Sequence, residues 1–249
     1  MYLKTQGLVI RVTAYKDYDS LITLLTAGHG KITAKVRGLR RKNSPLTAPC
    51  QLLAYGEFLL FENRGMYTVN EAASIELFEP LRRDLTRVCL ATYFVQAAEV
   101  ISQEDLSNPE LLSLTLNALY ALSKLNLSEP FVKAVFELRL ACLAGYEPNL
   151  DGCIRCGNPY PDRFHITQGH LECKDCKESG DDSIRLPVSP GILDAMRYIV
   201  RSDSKRIFSF ELGSQSVESL SQITETYLLR QLEQGFSSLD FYKSIQLSR

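Results

Sequence analysis

Two Cys-x-x-Cys pairs constrain the fold of this chain more than any other feature of its sequence. Cys153 and Cys156 form the first pair, and Cys173 and Cys176 form the second after a spacer of 16 residues. This spacing is typical of a zinc site, because each two-residue gap allows a tight turn that places both thiolates on one side of an ion. Four thiolates complete a tetrahedral shell. The sequence therefore predicts one structural Zn²⁺ per chain, with no coordination position left for water.

The residues around the pairs fit a small metal module. Gly157 follows the first pair and permits the positive φ at which backbone N–H groups can point toward the sulfurs. The spacer, residues 158–171, is predicted to form a short hairpin that returns the chain to the ion. His165 or His170 could replace a cysteine ligand, but with four thiols available we expect both near the site or in solvent. A redox role for either pair is disfavoured, since neither lies in a βαβ context.

Composition and cysteine usage indicate an intracellular globular protein. Hydrophobic residues make up 45% and charged residues 23% of the chain, as in ordinary globular domains. The N-terminal residues lack the apolar segment of a signal peptide, and no apolar run approaches the length that spans a bilayer. We therefore expect a soluble, cytoplasmic protein without disulfides. Cys50, Cys89 and Cys142 stand singly in apolar contexts and are predicted to be small buried hydrophobic residues.

The first 78 residues have the pattern of a small antiparallel barrel. Runs of β-branched residues and period-two alternation predict five short strands, with turns at residues 28–31 and 64–65. Such strands suit a closed barrel of the OB-fold type, because closure removes exposed sheet edges. A small sandwich or an SH3-like barrel is the alternative. The strands are predicted at 7–12, 21–25, 32–36, 58–62 and 67–72.

From Pro80 onward the pattern is helical, and two capping signals with proline at the first helical position mark helix starts. Helices are predicted at 85–100, from Asn108-Pro109 to Leu125, from Ser128 to Gly145, at 192–200 after Ser189-Pro190-Gly191, and from Val217 to Leu232. The third is apolar on nearly every side, which predicts burial at the centre of its domain. The predicted fold class is α+β and multidomain: an OB-fold domain at 1–78, then an α-helical domain at 79–249 with the zinc module at about 150–180.

Charge is distributed unevenly along the chain. Residues 1–56 contain nine Lys and Arg residues and two Asp residues, so their net charge is +7. Because the whole chain has a net charge of −1, residues 57–249 have a net charge of −8. Five of these positive charges lie within residues 35–42, where a predicted strand enters a loop. Such a cluster predicts phosphate contacts that do not read base sequence, although a solvated loop is the alternative. The candidate DNA-binding residues are Lys35, Arg37, Arg40, Arg41 and Lys42, with Arg11 and Lys31 as weaker candidates.

Six aromatic residues accompany this basic segment: Tyr15, Tyr18, Tyr55, Phe58, Phe61 and Tyr67. Exposed aromatic rings could stack on bases, as in proteins that bind single strands. We nevertheless expect most of them to fill the barrel.

Enzymatic activity is not expected, because the sequence contains no phosphate-binding loop, no H-E-x-x-H and no G-x-S-x-G motif. The leading prediction is a non-enzymatic DNA-binding protein. One alternative is an RNA-binding or ribosome-associated factor built from an OB-fold and a zinc ribbon. Another is a zinc-stapled adaptor that binds no nucleic acid.

Residues 7–44 contain a recognisable signature: Gly7-Leu8-Val9-Ile10, Tyr15-x-Asp17-x-Asp19-x-Leu21-x-Thr23-x-Leu25-Thr26, Gly30, Lys35-x-Arg37-Gly38-x-Arg40-Arg41 and Ser44. This signature resembles that of the RecO family, bacterial recombination mediators of DNA repair. The resemblance extends through the helical remainder, including both cysteine pairs and Leu186-Pro187-Val188-Ser189-Pro190-Gly191. Arg37 stands where many relatives carry Lys, which preserves the charge, and the zinc site is not universal in the family.

The resemblance implies binding to single- and double-stranded DNA and annealing of complementary strands. It also implies that the protein acts with RecR to help load RecA onto strands coated by single-strand-binding protein (SSB). The C-terminal tail of SSB is acidic and apolar, so its site would need an apolar groove flanked by a cation. Lys133 and Arg139 are among several basic residues of the helical region that could supply that cation.

Overall fold

A computed structural model describes residues 1–176 and 183–247. The chain forms two compact units. The first comprises Met1–Leu125 and the C-terminal segment that begins at Phe236, and the second comprises Asn126–Gly235. The predicted boundary between an OB-fold domain at 1–78 and a helical domain at 79–249 stays a prediction.

The first unit begins with a closed five-stranded barrel, which confirms the predicted fold class. Its strands are β1 (Tyr2–Tyr15), β2 (Asp19–Thr26), β3 (Lys31–Val36), β4 (Tyr55–Asn63) and β5 (Met66–Glu76). They follow the order β1-β2-β3-β5-β4 and close back on β1. All neighbours are antiparallel except β3 and β5, which pair in parallel through Ala34 and Tyr67. Five strands with a Greek-key connection make this an OB-type barrel.

Aliphatic side chains fill the barrel, because alternate residues of each strand point inward. Val9, Ile22, Leu24 and Leu60 are almost completely buried there, together with Phe58. The loop between β3 and β4 adds buried Cys50 and Ala54 to the same core.

Strands β4 and β5 approach closely at Gly56. A Cβ atom at this position would lie 2.5 Å from the carbonyl oxygen of Ala73, so only glycine fits without a backbone shift. The register of the two strands also shifts at this point, between Tyr55 and Gly56.

Six α-helices are described: α1 (Leu85–Ile101), α2 (Pro109–Lys124), α3 (Glu129–Leu143), α4 (Pro190–Arg201), α5 (Ser214–Leu232) and α6 (Ser237–Leu247). The predicted caps are present, since the side chains of Asn108 and Ser189 accept hydrogen bonds from the backbone N–H groups of Leu111 and Ile192. Helix α6 was not predicted from the sequence, and it buries only Leu239 and Tyr242.

Helices α1, α2 and α6 belong to the first unit. The ring of Phe236, just before α6, lies 5.2 Å from the ring of Tyr93 on α1. Ser238 donates a hydrogen bond of 2.5 Å to the side chain of Gln96 on α1. These contacts join the end of the chain to the helix that follows the barrel.

The second unit contains α3, α4, α5 and a small four-stranded sheet. Helix α3 is buried along most of its length, as predicted. The sheet has the order β6-β8-β7-β9. Its strands are β6 (Asn149–Cys153), β7 (Arg163–His165), β8 (His170–Glu172) and β9 (Arg185–Pro187). Within the described ranges, no helix is both long enough and apolar enough to span a membrane.

Candidate metal centre and nucleic-acid interface

The four cysteines of the two pairs converge at one place in the second unit. Their Sγ atoms all lie within 4.8 Å of one another, and those of Cys156 and Cys173 are 3.7 Å apart. Four ligands at a Zn–S distance of about 2.3 Å in a tetrahedron would be separated by about 3.8 Å. The cluster therefore has the size and composition that a soft, tetrahedral ion requires, and its predicted formation is confirmed.

Short β-elements position the sulfurs. Cys153 ends β6, and the antiparallel hairpin of β7 and β8 returns the chain so that Cys173 follows β8 directly. Cys176 ends a single 3-10 turn. The predicted hairpin in the spacer is thus confirmed. Gly157 has φ +72° and donates its N–H to the Cys153 carbonyl oxygen at 2.9 Å, which closes the turn between the first two ligands.

Backbone N–H groups stabilise the thiolate of Cys153. Burial alone would raise the pKa of this thiol, but hydrogen bonds from the N–H groups of Cys156, Arg155 and Cys173 lower it to about 6. The side-chain amide of Asn158 donates to the Cys173 sulfur at 3.3 Å. Because metal ligands must be deprotonated, these donors favour the ligand form of Cys153 and Cys173. In the absence of an ion, the hydrogen bond with the Cys156 thiol and burial raise the pKa of Cys176 to about 12.

The two histidines of the module are not ligands of this cluster. His165 and His170 are 2% and 7% exposed, and their ring centroids lie 4.8 Å apart on the paired strands β7 and β8. His170 pairs with Glu172 at 3.1 Å, and Glu172 accepts a hydrogen bond of 2.8 Å from Arg185. Both were expected near the site or in solvent, and only the second of these positions is wrong, because the two rings are buried in the small sheet of the metal module.

A residue that the sequence analysis did not single out attaches the module to α4. Arg197 donates hydrogen bonds to the carbonyl oxygens of Leu150 at 2.9 Å, Asp151 at 3.3 Å and Pro159 at 2.7 Å. Its guanidinium also lies 5.2 Å from the ring centroid of Tyr160. No sequence motif marks such a residue, since its partners are backbone atoms of a distant segment.

Of the other three cysteines, two are buried as predicted. Cys50 and Cys89 are buried and Cys142 is half-buried. Burial raises the pKa of Cys50 and of Cys142 to about 12, so both remain protonated at neutral pH.

The basic loop leaves β3 and is attached to the hairpin between β1 and β2 through Asp19. The Asp19 carboxylate accepts one hydrogen bond from the backbone N–H of Gly38 at 2.9 Å and pairs with the Lys35 ammonium at 2.8 Å. The backbone N–H of Arg40 donates to the Tyr18 carbonyl oxygen at 3.0 Å. The hydrogen bond from Lys35, with that from Gly38, lowers the pKa of Asp19 below its usual range.

The predicted DNA-binding residues fall into two groups. Arg37, Arg40, Arg41 and Lys42 are exposed and form no ion pair with any residue of the described ranges. Two others are paired with carboxylates: Lys35 with Asp19, and Arg11 with Glu99 at 3.2 Å. Lys31 is half-buried. The structure thus separates charges that are free to meet a polyanion from charges already compensated by carboxylates of β2 and α1.

The expectation that most of the six aromatic residues fill the barrel is wrong. Only Phe58 is fully buried, whereas Tyr15, Tyr18 and Phe61 are 39%, 56% and 39% exposed. Tyr67 is half-buried and packs against the core. Tyr55 is half-buried and donates its hydroxyl to Gln6 at 2.8 Å.

Together these features define a class of protein that joins an OB-type barrel bearing an exposed basic loop to a helical unit with a four-cysteine centre. Residues 1–78 match the family model for the N-terminal part of recombination protein O, and residues 82–240 match the model for its C-terminal part. The chain therefore belongs to the RecO family of DNA repair proteins.

Full-length relatives show the same similarity. The chain is 37% identical to the DNA repair protein RecO of Acetivibrio thermocellus, over 98% of this chain and 97% of that protein. It is 31% identical to the RecO of Alkaliphilus metalliredigens, over 98% of this chain and all of that protein. The RecO of Symbiobacterium thermophilum is 29% identical, over 98% and 97% of the two chains.

Proposed function

We propose that this protein is a non-enzymatic recombination mediator that binds DNA through the basic loop of its barrel. The observation that carries the proposal is the set of four exposed, unpaired cations on residues 37–42, held on an OB-type barrel in a chain of a DNA repair family. Lys35 and Arg11 contribute less, because their charges are shared with Asp19 and Glu99.

Phosphate contacts of this kind act on single- and double-stranded DNA without reading sequence. Each neutralised phosphate releases condensed counterions, so binding weakens as salt increases. For about four contacts on a single strand, the slope of log K against log salt is about −3. Charge neutralisation also lowers the repulsion between two strands, which supports the proposed annealing of complementary strands.

The mediator role extends the proposal to protein partners. The protein would act with RecR, help to load RecA and bind the C-terminal tail of SSB, in the cytoplasm at the nucleoid. Neither basic residue named for the tail site fits a surface role well. Lys133 is 2% exposed and pairs with Glu137 and Glu225, and Arg139 donates to the Val200 carbonyl oxygen at 2.6 Å.

Zn²⁺ is the proposed ion of the cysteine cluster, held by Cys153, Cys156, Cys173 and Cys176. Four sulfurs at this spacing match its tetrahedral preference, and the closed shell gives the ion a structural role. No step of a reaction is assigned to it.

A salt titration with fluorescent single-stranded DNA tests the DNA site. Replacing Arg40 and Arg41 together by Ala removes two exposed charges, so the slope should shrink by about one to two units and affinity for every sequence should fall alike. The charge-conserving variant Arg40→Lys/Arg41→Lys should keep the slope. Lys4→Ala is a second control, because Lys4 lies on β1 and pairs with Glu57 at 3.6 Å.

An unchanged slope in the double alanine variant would place DNA elsewhere on the protein. Competition with RNA of equal length and sequence tests the alternative role as an RNA-binding factor. Tighter binding of RNA would favour that alternative, since a site that senses the 2′-hydroxyl discriminates the two.

A further inference from the structure

Two exposed tyrosines flank the tip of the hairpin between β1 and β2. Tyr15 ends β1 and Tyr18 directly precedes β2, so only Lys16 and Asp17 lie between them. Their exposed fractions are 39% and 56%, and neither hydroxyl has a hydrogen-bond partner in the described part of the chain. Burial and hydrogen bonding therefore do not account for two large rings at this position.

Cations accompany both rings. The ammonium groups of Lys35 and Lys16 lie 5.3 and 5.5 Å from the ring centroid of Tyr15. The guanidinium of Arg41 lies 5.4 Å from the ring centroid of Tyr18. Arg41 and Lys35 belong to the segment that carries the proposed phosphate contacts. The rings and the cations thus form one continuous surface, which we name the aromatic tip (Tyr15, Lys16, Tyr18, Lys35 and Arg41).

A second exposed aromatic pair on the same barrel has no such neighbouring cations. Tyr2 and Phe61 are 60% and 39% exposed, and their ring centroids lie 5.2 Å apart on β1 and β4. No cation of the described ranges lies over either ring. Tyr2 begins β1 whereas Tyr15 ends it, so the two aromatic pairs occupy opposite ends of the same strand.

We propose that the aromatic tip is a nucleobase-binding site, at which Tyr15 and Tyr18 stack on unpaired bases of a single strand. The proposal rests on the proposed function, since the neighbouring loop must hold the phosphates. Proteins that bind single strands combine positive charges along the phosphate backbone with flat aromatic surfaces for successive bases. The rings and cations of the aromatic tip offer both components. Arg41 adds a planar cation that can itself stack on a base.

This site would make the barrel prefer single strands. Bases in a duplex are stacked on one another and paired, so their faces are not available to the tyrosines. The loop cations contact phosphates in either form of DNA. The aromatic tip therefore supplies selectivity for unpaired strands, while the loop supplies the salt-dependent affinity.

The chain contains no tryptophan, so one substitution creates a selective fluorescent reporter. In Tyr18→Trp, binding of oligo(dT) should quench the indole emission through stacking, whereas an abasic oligonucleotide of equal length should leave it nearly unchanged. Phe61→Trp places the reporter on the control pair, and its emission should not respond to either ligand. Equal responses of Tyr18→Trp to both oligonucleotides would overturn the stacking proposal.

Affinity measurements separate this site from the loop. Tyr15→Ala/Tyr18→Ala should weaken binding of oligo(dT) by about fivefold or more, with an unchanged salt slope and unchanged binding of the abasic ligand. Tyr18→Phe and Phe61→Ala should bind like the unmodified protein. The melting temperature of each variant confirms folding.

Three outcomes contradict the proposals in different ways. Normal oligo(dT) affinity of the double tyrosine variant, with a reduced salt slope of Arg40→Ala/Arg41→Ala, would refute stacking and leave the loop site intact. Equal loss of binding to oligo(dT) and to the abasic ligand would show that the tyrosines support the loop instead of binding bases. Unchanged binding in both double variants would refute both proposals.

Discussion

The barrel and the metal module are both small β-structures, but different forces hold them. The barrel has strands of 6 to 14 residues and encloses a continuous core of buried aliphatic side chains. The module has strands of 3 to 5 residues, and it relies on four converging sulfurs and on side chains from neighbouring helices. Such short strands cannot enclose a core. One β-structure of this chain is therefore stabilised by burial of an aliphatic core, and the other by a metal shell and a few long side chains.

Metal removal should have the largest effect on stability, and it should destabilise the module while the barrel stays folded. Zinc contributes about 10–16 kcal/mol of apparent binding energy in zinc-finger peptides, so Cys173→Ser should unfold the module and lower the melting temperature. Amide exchange should accelerate on β7 and β8, and the amides of the barrel should keep their protection. Elemental analysis should find one zinc per chain in the unmodified protein and none in the variant.

Cys142→Ala is the matched control, because it removes a thiol outside the cluster. It should keep a full complement of zinc. Metal-free protein that melts at the same temperature as the zinc-bound form would show that the module needs no ion.

A buried charge cluster is the next most sensitive feature, and it has no counterpart in the barrel. Lys133 on α3 contacts Glu137 at 3.1 Å and Glu225 of α5 at 2.8 Å. Burial raises the pKa of Glu137, although Lys133 opposes this shift. Lys133→Met removes the positive partner from two carboxylates and should cost about 3–5 kcal/mol in denaturant unfolding of the second unit.

The control for this variant is Lys124→Met, whose ion pair with Glu76 spans 4.0 Å and is partly exposed. Its effect should stay within about 0.5 kcal/mol. Similar costs for both variants would mean that the buried pair behaves as a surface pair.

Substitution of Gly56 tests how closely β4 and β5 pack in the barrel. Gly56→Ala brings a Cβ atom against the Ala73 carbonyl oxygen, and overpacking of this kind typically costs about 1–3 kcal/mol. Gly28→Ala is the control, since a Cβ there meets no atom within 4 Å. Urea denaturation followed on the barrel should show a lower midpoint for the first variant only. Two unchanged midpoints would mean that β4 and β5 separate easily at this point.

The smallest expected effect on stability belongs to the attachment of the basic loop. Asp19→Asn removes the charge that holds Lys35 and weakens the acceptor for the Gly38 N–H, so the loop should exchange its amides faster while the melting temperature stays the same. The pKa of Asp19 is lowered in the folded protein. The attachment is therefore complete above the ordinary pKa of about 3.9 and is lost only as the pH falls through the lowered value.

Amide exchange of residues 37–42 at pH 5 and pH 7 checks this expectation, after correction for the intrinsic exchange rates. Equal protection at the two values is expected for the unmodified protein. Asp17→Asn is the control, because Asp17 is exposed and forms no ion pair in the described ranges. Loss of protection already at pH 5 would contradict the role of Asp19.

The sequence predicts well those features that depend on local pattern. Runs of β-branched residues and period-two alternation predicted the five barrel strands, and the capping pairs Asn108-Pro109 and Ser189-Pro190 predicted two helix starts. The cysteine spacing predicted the cluster, because two short gaps and one hairpin suffice to bring the sulfurs together. The parallel pairing of β3 with β5 has no local signal, so the barrel was predicted by strand number alone.

Features that depend on distant partners were missed. Arg197 donates hydrogen bonds to three carbonyl groups that lie 38 to 47 residues away in the chain, and no sequence pattern near Arg197 predicts these partners. Asp19 was visible within the family signature, but its role as the anchor of the loop required the contact with Gly38. The exposure of Tyr15 and Tyr18 depends on their place at the tip of a hairpin and outside the barrel core, which composition does not reveal.

The contact of α6 with α1 has a consequence for synthesis on the ribosome. Ser238 and Gln96 are 142 residues apart, so the unit that holds the barrel includes a helix translated after the whole second unit. Residues Asn126–Gly235 are continuous and can fold as they emerge. The first unit must wait for its last helix, and at about 5–20 residues per second the 142 residues between Gln96 and Ser238 take roughly 7 to 28 seconds to synthesise. During this interval the face of α1 that will meet Phe236 stays uncovered, so the order of synthesis exposes the ring of Tyr93 until the last helix is made.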